Sequence, residues 1–204
     1  MKLLHVDSSI LGPASASRKL SAALVAEWRK QNPQGEVVNR DLALAPIPHL
    51  AGALLVAQGV DPAQHTPEVR HGLALGAQAL EEFLDADIVV VGSPMYNFGI
   101  PSQLKAWIDR LAIAGKTFAY TENGLKGLVP GKTVIIASSR GGLYGPDTPL
   151  ASIDFQEKYL AAVFRFFGIA DIRFLRAEGV NVSPDNRQRA IAAAELDAAK
   201  VIAG

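Results

Sequence analysis

Cysteine is missing from this chain of 204 residues. Its absence excludes disulfides, thiolate nucleophiles and thiolate-bound metal ions together. A surplus of positive charge is missing too, because 20 basic residues balance 20 acidic ones and no Lys/Arg cluster stands out. A nucleic-acid-binding protein needs such a surplus or such a cluster, so nucleic acid is not an expected partner.

Long apolar runs are also absent. No stretch approaches the roughly 20 apolar residues that a membrane-spanning helix needs, so we expect no membrane contact. Charged residues interrupt the segment after Met1 too early for a signal-peptide core. We therefore expect a cytoplasmic protein. A chain of this length buries roughly 70% of its unfolded surface, and we expect residues 1–204 to form a single domain.

Strand patterns alternate with helix patterns along the chain. Five strands are predicted at residues 3–6, 36–41, 88–91, 133–137 and 171–177, and the third is a run of β-branched residues typical of a central strand. Apolar stripes predict helices between them, for example Leu20, Leu24 and Trp28 in the first, and Val69, Leu73, Ala77, Leu80 and Leu84 before the third strand. The pattern predicts a doubly wound α/β fold, with a five-stranded parallel sheet in the flavodoxin-like order 2-1-3-4-5 and helices on both faces.

Two connections are longer than simple α/β units require. Residues 42–67 carry four prolines and a short apolar helical pattern, and they either cover a site or a partner or form a solvated excursion. Residues 115–132 contain Asn123-Gly124, a strong turn signal.

In the predicted order, three loops meet at one edge of the sheet, at residues 8–17, 93–99 and 138–145. The first loop offers the hydroxyls of Ser9, Ser15 and Ser17 at a helix N-terminus, with Arg18 adding positive charge. Unpaired N–H groups and the helix dipole favour a phosphate there. Serine spacing alone supports ordinary helix capping equally well.

The other two loops differ in character. After a strand that Gly92 and Pro94 are predicted to break, Met95, Tyr96, Asn97 and Phe98 provide an apolar wall with one amide. The third loop carries two adjacent glycines, which allow close approach of backbone N–H groups to a ligand but by themselves indicate only a turn. A phosphate cradle, an aromatic wall and a backbone-donor edge together describe a site for flavin mononucleotide (FMN).

Acid–base machinery is sparse in this sequence. The four histidines lie outside the three loops, and neither a Ser-His-Asp set nor a metal-ligand cluster stands out. We predict no catalytic protein residue and no metal site, because a bound cofactor is expected to carry the reaction.

Five motifs in these segments resemble those of the bacterial FMN-dependent NADH:quinone oxidoreductases, also called azoreductases. The motifs are Asp-Ser-Ser-Ile-Leu at 7–11, Pro-Met-Tyr-Asn-Phe at 94–98, Ser-Gln-Leu-Lys at 102–105, Thr-Glu-Asn-Gly at 121–124 and Ser-Arg-Gly-Gly at 139–142. The resemblance extends from the first strand to residues 178–179. Two stretches depart from the family pattern, residues 143–154 by their length and residues 59–60 by their side chains, and both border the expected substrate pocket.

The resemblance implies one FMN per subunit, NADH or NADPH as electron donor, and two-electron reduction of quinones with reductive cleavage of aromatic azo compounds. In the mechanism we expect, flavin N5 accepts the hydride, and one exposed ring face serves donor and acceptor in turn, which predicts ping-pong kinetics. It implies a homodimer with active sites at the subunit interface, and substrate stacking on Phe118 and Tyr120. The implied FMN contacts are Ser9, Ser15, Ala16, Ser17, Met95, Tyr96, Asn97, Phe98, Ser139, Arg140, Gly141 and Gly142.

Two other functions remain open at this point. A flavodoxin-type carrier would pass single electrons to protein partners, although docking of that kind is favoured by an acidic surface and this chain is neutral. A flavin-free hydrolase would use a loop serine. A stable semiquinone in a reductive titration would favour the carrier, and a colourless protein that FMN does not stabilise would favour the hydrolase.

Overall fold

Seven strands and six α-helices make up the computed structural model, which describes residues 1–204 apart from the side chain of Gln58. The strands are β1 Lys2–Asp7, β2 Glu36–Asp41, β3 Ile88–Pro94, β4 Phe118–Thr121, β5 Gly124–Gly127, β6 Thr133–Ser139 and β7 Asp171–Ala177. The α-helices are α1 Ala16–Gln31, α2 Gly52–Val56, α3 Pro67–Asp85, α4 Ser102–Leu111, α5 Gln156–Phe166 and α6 Pro184–Ala203.

Five of the strands form one parallel sheet in the order β2-β1-β3-β6-β7. This is the predicted order 2-1-3-4-5, because β6 and β7 are the fourth and fifth strands of that sheet. The other two strands, β4 and β5, pair antiparallel as a separate hairpin within residues 115–132. The turn predicted at Asn123-Gly124 lies in this hairpin, but the sequence did not indicate its strands.

Apolar side chains alternate across the parallel sheet and feed two core clusters. Leu4 and Val91 belong to a cluster that includes residues of α3, α4 and α5. Leu3 and Val90 belong to a second cluster with residues of α1 and α6. The predicted stripe of α1 is buried at every position, since Leu20, Leu24 and Trp28 are each at most 1% exposed. Burial of these faces, rather than local propensity, holds the helices on the sheet.

Strand β3 continues past the position where Gly92 was predicted to break it, and it ends at Pro94. Gly92 pairs with Asp7 on one side and with Ala137 on the other. A Cβ atom at Gly92 would overlap Oδ1 of Asp7. The glycine therefore serves close packing between strands rather than a turn.

A second prediction, the choice of buried face on α3, is wrong. The helix is present, but its buried residues are Gly72, Gly76, Ala79 and Phe83. The predicted stripe lies beside this face, and Leu84 is 36% exposed. The guanidinium of Arg110 on α4 lies against Gly76 and donates to the carbonyl oxygen of Gly72 at 2.5 Å, whereas the side chain of Leu54 lies against Gly72.

Candidate functional site

The loops that follow β1, β3 and β6 lie side by side at the carboxyl edge of the sheet. Ser8 Oγ donates to the carbonyl oxygen of Gly92 at 2.7 Å, which ties the end of β1 to β3. The backbone N–H of Met95 donates to the carbonyl oxygen of Ser139 at 2.8 Å, which ties β3 to β6. The structure therefore brings together the three loops that the sequence singled out.

The first loop delivers a cluster of buried hydroxyls to the start of α1. Ser15 caps the helix by accepting a hydrogen bond from the N–H of Arg18 at 3.3 Å, and Ser17 Oγ lies 3.0 Å from Ser15 Oγ. Ser9, Ser15 and Ser17 are at most 1% exposed. The N–H groups of Ala16 and Ser17 have no backbone partner in the described part of the chain. Capping is thus observed, and donors for an anion remain in the same turn.

Arg18, by contrast, is committed within the protein. Its guanidinium meets the carboxylate of Asp41 through two hydrogen bonds, at 2.6 and 2.8 Å, and donates twice to the carbonyl oxygen of Ser9. This pairing, chiefly the hydrogen bond from Arg18, holds the pKa of Asp41 below its ordinary value. Arg18 therefore fixes the Ser9 loop, and its predicted positive charge is largely neutralised.

The second loop is a tight turn with an unusual backbone. Tyr96 and Gly99 exchange two backbone hydrogen bonds, each 3.0 Å long. Between them, Asn97 and Phe98 have φ angles of +48° and +69°. Two consecutive left-handed residues match the type I′ hairpin turn, which ordinarily uses glycine or asparagine. A phenylalanine there is strained, and such strain clusters at functional sites.

The tyrosine of this turn reaches back to the first loop. Tyr96 Oη lies 3.3 Å from Ser9 Oγ. The ring of Phe98 remains 45% exposed, so it can present an apolar surface beside the turn.

In the third loop, the backbone carbonyl oxygens of the two glycines are hydrogen-bonded within the protein, whereas their N–H groups are not. The carbonyl oxygens of Gly141 and Gly142 accept from the N–H groups of Asn181 and Gly179, at 3.1 and 2.8 Å. The N–H groups of Gly141 and Gly142 have no hydrogen-bond acceptor in the part of the chain that the structure describes. These two donors suit the polar edge of a ligand.

Arg140 has its polar groups engaged inside the protein. Its N–H donates to Ala177 and its carbonyl oxygen accepts from Val180, at 2.9 and 3.0 Å. Its guanidinium, 1% exposed, pairs with three carboxylates. Arg140 stays a predicted cofactor residue by its position in the loop, while its side chain points to a different role.

Phe118 and Tyr120 do not join the three loops within one chain. Phe118 packs on Phe166 at the end of α5, with ring centroids 4.7 Å apart, and meets Tyr120 at 5.6 Å. Just beyond the hairpin, Val129 N–H donates to the carbonyl oxygen of Phe167 at 2.9 Å, close to where β7 begins. The hairpin therefore lies at the amino edge of the sheet, opposite the loops.

A groove of about 410 Å³ runs beside this hairpin and is mostly apolar. Its lining includes Leu54 and Leu73, as well as Phe118 and Tyr120. The long connection 42–67 supplies part of it and is not simply a solvated excursion, because Leu42 and Ile47 are buried in the core.

Two aromatic residues at the loops were not predicted. The ring of Tyr144 meets the ring of Phe98 edge-on at 6.4 Å, and the N–H of Phe155 donates to the carbonyl oxygen of Phe98 at 3.1 Å. Tyr144 lies within the third loop as predicted, so its location was available from the sequence. Phe155 precedes a helix as an isolated aromatic residue, and no sequence signal distinguished it.

The described residues show neither a cluster of metal ligands nor a membrane-spanning helix. Within the described residues, no three His, Cys, Asp or Glu side chains are grouped so as to hold a metal ion. No helix in that part of the chain combines the length and apolarity needed to cross a bilayer.

Comparison with known proteins places this geometry in context. A family model described as a flavodoxin-like fold matches residues 1–202. An FMN-dependent NADH:quinone oxidoreductase of Rhizobium meliloti (strain 1021) is 56% identical over 199 residues, which cover 96% of this chain and 94% of that protein. An azoreductase from Bacillus anthracis str. Sterne has a crystal structure with a TM-score of 0.88 at 33% identity, covering 99% of this chain and 98% of that one. An FMN-dependent NADH-azoreductase from Bacillus anthracis str. Ames Ancestor, solved in complex with FMN, gives a TM-score of 0.85 at 28% identity over 98% of this chain and 99% of that one.

Proposed function

This chain belongs to the flavodoxin-like family of FMN-dependent NADH:quinone oxidoreductases, and we propose that it transfers two electrons from NADH or NADPH to quinones and reductively cleaves aromatic azo compounds. It is an oxidoreductase, and its cofactor on this proposal is one FMN per chain.

The first loop fits the phosphate end of FMN. The hydroxyls of Ser9, Ser15 and Ser17 and the N–H groups of Ala16 and Ser17 form a set of donors at a helix N-terminus. Donor hydroxyls and helix N–H groups are what a dianionic phosphate requires, and no carboxylate in this set would repel it. Because Arg18 is paired with Asp41, hydrogen bonds and the helix dipole would carry the attraction.

The second and third loops fit the ring. One wall of the ring site would be formed by Met95, Tyr96 and the turn at Asn97 and Phe98. The polar rim of the ring would accept hydrogen bonds from the N–H groups of Gly141 and Gly142. Fixed backbone donors stabilise negative charge that develops on a reduced ring, because they need no reorganisation.

When bound, FMN supplies the electron chemistry, by taking a hydride from NAD(P)H and giving two electrons to the acceptor. The protein side chains in the three loops are alcohols, an amide, a phenol and apolar groups, so their tasks are to bind, orient and exclude water. One exposed ring face would serve donor and acceptor in turn, which predicts ping-pong kinetics. Cleavage of one azo bond to two amines consumes four electrons and hence two NAD(P)H.

A homodimer accounts for the hairpin at the far edge of the sheet. Tyr120 is 77% exposed beside an apolar groove whose rim includes the exposed side chains of Leu50 and Leu55. Exposed apolar surface of this kind marks an interface. We propose that two chains pair so that Phe118 and Tyr120 of one complete the substrate pocket of the other.

We further propose that residues 1–204 form a single doubly wound domain, because the two core clusters share the strands of one sheet. The cysteine-free composition suits the reducing cytoplasm, which we propose as its location.

The observation that carries this proposal is the junction of the three loops, through Ser9 Oγ to Tyr96 Oη at 3.3 Å and Met95 N to Ser139 O at 2.8 Å. Steady-state rates with NADH and NADPH against a panel of quinones and azo dyes test it. Parallel double-reciprocal lines are expected. Intersecting lines would contradict the shared face, and the absence of turnover with every acceptor would contradict the function.

A further inference from the structure

Arg140, in the third loop of the candidate site, occupies the centre of a buried ionic network. We propose that Arg140 is a positioning residue: through the carboxylates of Asp154 and Glu178 it fixes Phe98 and Tyr144 relative to the Gly141–Gly142 edge, and so sets the shape of the acceptor pocket. The inference rests on the proposed function only in what it says about the acceptor.

The guanidinium uses its whole fork. Nε donates to Ser138 Oγ at 3.1 Å, and Nη1 donates to Glu178 Oε1 at 3.1 Å. Nη2 donates to Asp154 Oδ2 at 3.0 Å and also meets Glu157. The three acids come from two segments, because Asp154 and Glu157 lie at the start of α5 and Glu178 lies after β7. A planar fork can hold three such directions at once, whereas a lysine ammonium cannot reproduce them.

Two series of contacts, called arms below, lead from Arg140 to Phe98. The first arm ends at the backbone of Phe98. Asp154 Oδ1 accepts from the N–H groups of Gln156 and Glu157, each at 3.1 Å, and so caps α5. Phe155, next to Asp154, donates its N–H to the carbonyl oxygen of Phe98 at 3.1 Å. The position of Asp154 therefore bears directly on the strained turn.

The other arm reaches Phe98 through a ring. Glu178 Oε1, held by Arg140, also accepts from the N–H of Tyr144 at 2.8 Å. The Tyr144 ring then meets the Phe98 ring at 6.4 Å. Both arms thus end at the same residue of the candidate pocket. Both also include a residue of the stretch 143–154 that departs from the family pattern, Asp154 in one arm and Tyr144 in the other.

The balance of charge in the network makes Arg140 indispensable to this arrangement. Arg140 and Arg176 face Asp154, Glu157 and Glu178, so the ionised cluster has two positive and three negative groups. Arg176 is 47% exposed and contacts Glu157 alone among these acids. Removing a buried partner leaves its carboxylates uncompensated, whereas water can replace an exposed one.

Arg140→Lys and Arg176→Lys form a matched pair, because both keep the charge and both touch Glu157. Hydrogen exchange of the apoprotein is measured in peptides that cover residues 96–100 and 143–155. We expect Arg140→Lys to accelerate exchange there by about tenfold or more, with the strands β1 and β2 unchanged, and Arg176→Lys to stay within about twofold of wild type. Equal effects of the two substitutions, or acceleration spread uniformly over the chain, would overturn the proposal.

A kinetic readout separates positioning from mere support of the fold. With the FMN-loaded protein, Arg140→Lys is expected to raise KM for a bulky quinone by about tenfold while changing kcat less, because the pocket walls move and the donor edge stays. A fall in kcat with unchanged KM would contradict the proposal. Should wild type fail to bind FMN, the proposed function fails, whereas the exchange contrast in the apoprotein still decides the positioning role.

Glu178→Ala carries the test if Arg140→Lys does not fold, since the Glu178 side chain is 23% exposed and lies at the rim of the network. Faster exchange in residues 141–148, with the α5 cap at residues 156–157 unchanged, is the expected result. Unchanged exchange at Tyr144 would overturn the arm through Glu178 and with it the proposal.

Discussion

Phe98 is the residue whose backbone is least expected from its side chain. A left-handed φ costs a residue with a Cβ atom roughly 1–2 kcal/mol. The surrounding contacts maintain it, since Phe98 accepts a hydrogen bond from Phe155 and lies in the turn that Tyr96 and Gly99 close. Strain retained at the wall of a candidate pocket is consistent with a wall shaped for a ligand.

Two substitutions of Phe98 isolate that strain. Phe98→Ala and Phe98→Gly both remove the ring, but only glycine removes the Cβ atom that makes φ of +69° costly. We expect Phe98→Gly to be the more stable of the two by about 1 kcal/mol in urea unfolding. If Phe98→Ala is the more stable, the turn is not strained.

Gly92 shows the reverse situation, a glycine required by space alone. Gly92→Ala would place a methyl group against the carboxylate of Asp7, which also accepts a hydrogen bond from Ser21 at 2.9 Å. We expect a loss of about 1–3 kcal/mol in the free energy of unfolding. Gly52→Ala is the control, because nothing lies within 4 Å of a Cβ atom there. Equal stability of the two variants would contradict the packing argument.

Asp41 gives the loop after β1 a dependence on pH. Its pKa in the folded protein lies below the ordinary 3.8, so the pair with Arg18 stabilises the fold above that pH, and this contribution is lost as the pH falls through the folded pKa. Asp41→Asn keeps an acceptor for the N–H groups of Ala43 and Leu44 but removes the charge. We expect a loss of about 1 kcal/mol or less at pH 7 that vanishes on acidification.

Urea unfolding at pH 7 and at pH 3 measures this difference. Asp197→Asn is the matched control, since Asp197 pairs with Lys200 on an exposed face of α6. A constant gap between Asp41→Asn and wild type at both pH values would show that the carboxylate charge is not what matters.

At the scale of elements, the parallel sheet was readable because its central strands β1, β3 and β6 carry apolar runs. β2 and β7 agree with prediction at both ends, and β1 and β6 extend it by one or two residues. The hairpin was not readable, because β4 and β5 have four residues each and Tyr120 and Leu125 are exposed. Short strands without a buried face carry no alternating pattern.

Helix α3 shows why a stripe does not always mark the core. Its leucines suggested one buried face, but Gly72 and Gly76 are buried instead, with Leu54 packed against Gly72 and Arg110 of α4 packed against Gly76. Which helix packs against a given face is a tertiary fact, and hydrophobic period alone does not contain it. The leucines left outside then become candidates for an interface.

For the whole molecule, convergence of the three loops followed from strand order, so the position of the candidate site was available from the sequence. The network around Arg140 was not, because it joins Asp154, Glu157 and Glu178 from segments that no local pattern connects. The residues assigned to FMN remain a prediction, to which the structure adds free donors at Gly141 and Gly142.

The proposed dimer is tested by introducing a charged side chain into the apolar groove beside the β4–β5 hairpin. Leu55 is 54% exposed there, and Leu55→Glu is expected to raise the dimer dissociation constant by about tenfold or more in analytical ultracentrifugation. Leu196 on α6 is 81% exposed and lies outside the groove, so Leu196→Glu should leave the dimer intact. A dimer equally stable in both variants would place the interface elsewhere.

Titration of the apoprotein with FMN, followed by flavin fluorescence, tests most directly whether the three loops hold one cofactor. Wild type should bind one FMN per chain, and Ser17→Ala, Asn97→Gly and Gly142→Ala, one variant per loop, should each weaken binding by about tenfold while melting within a few degrees of wild type. No saturable binding by wild type, or full affinity in all three variants, would contradict the account.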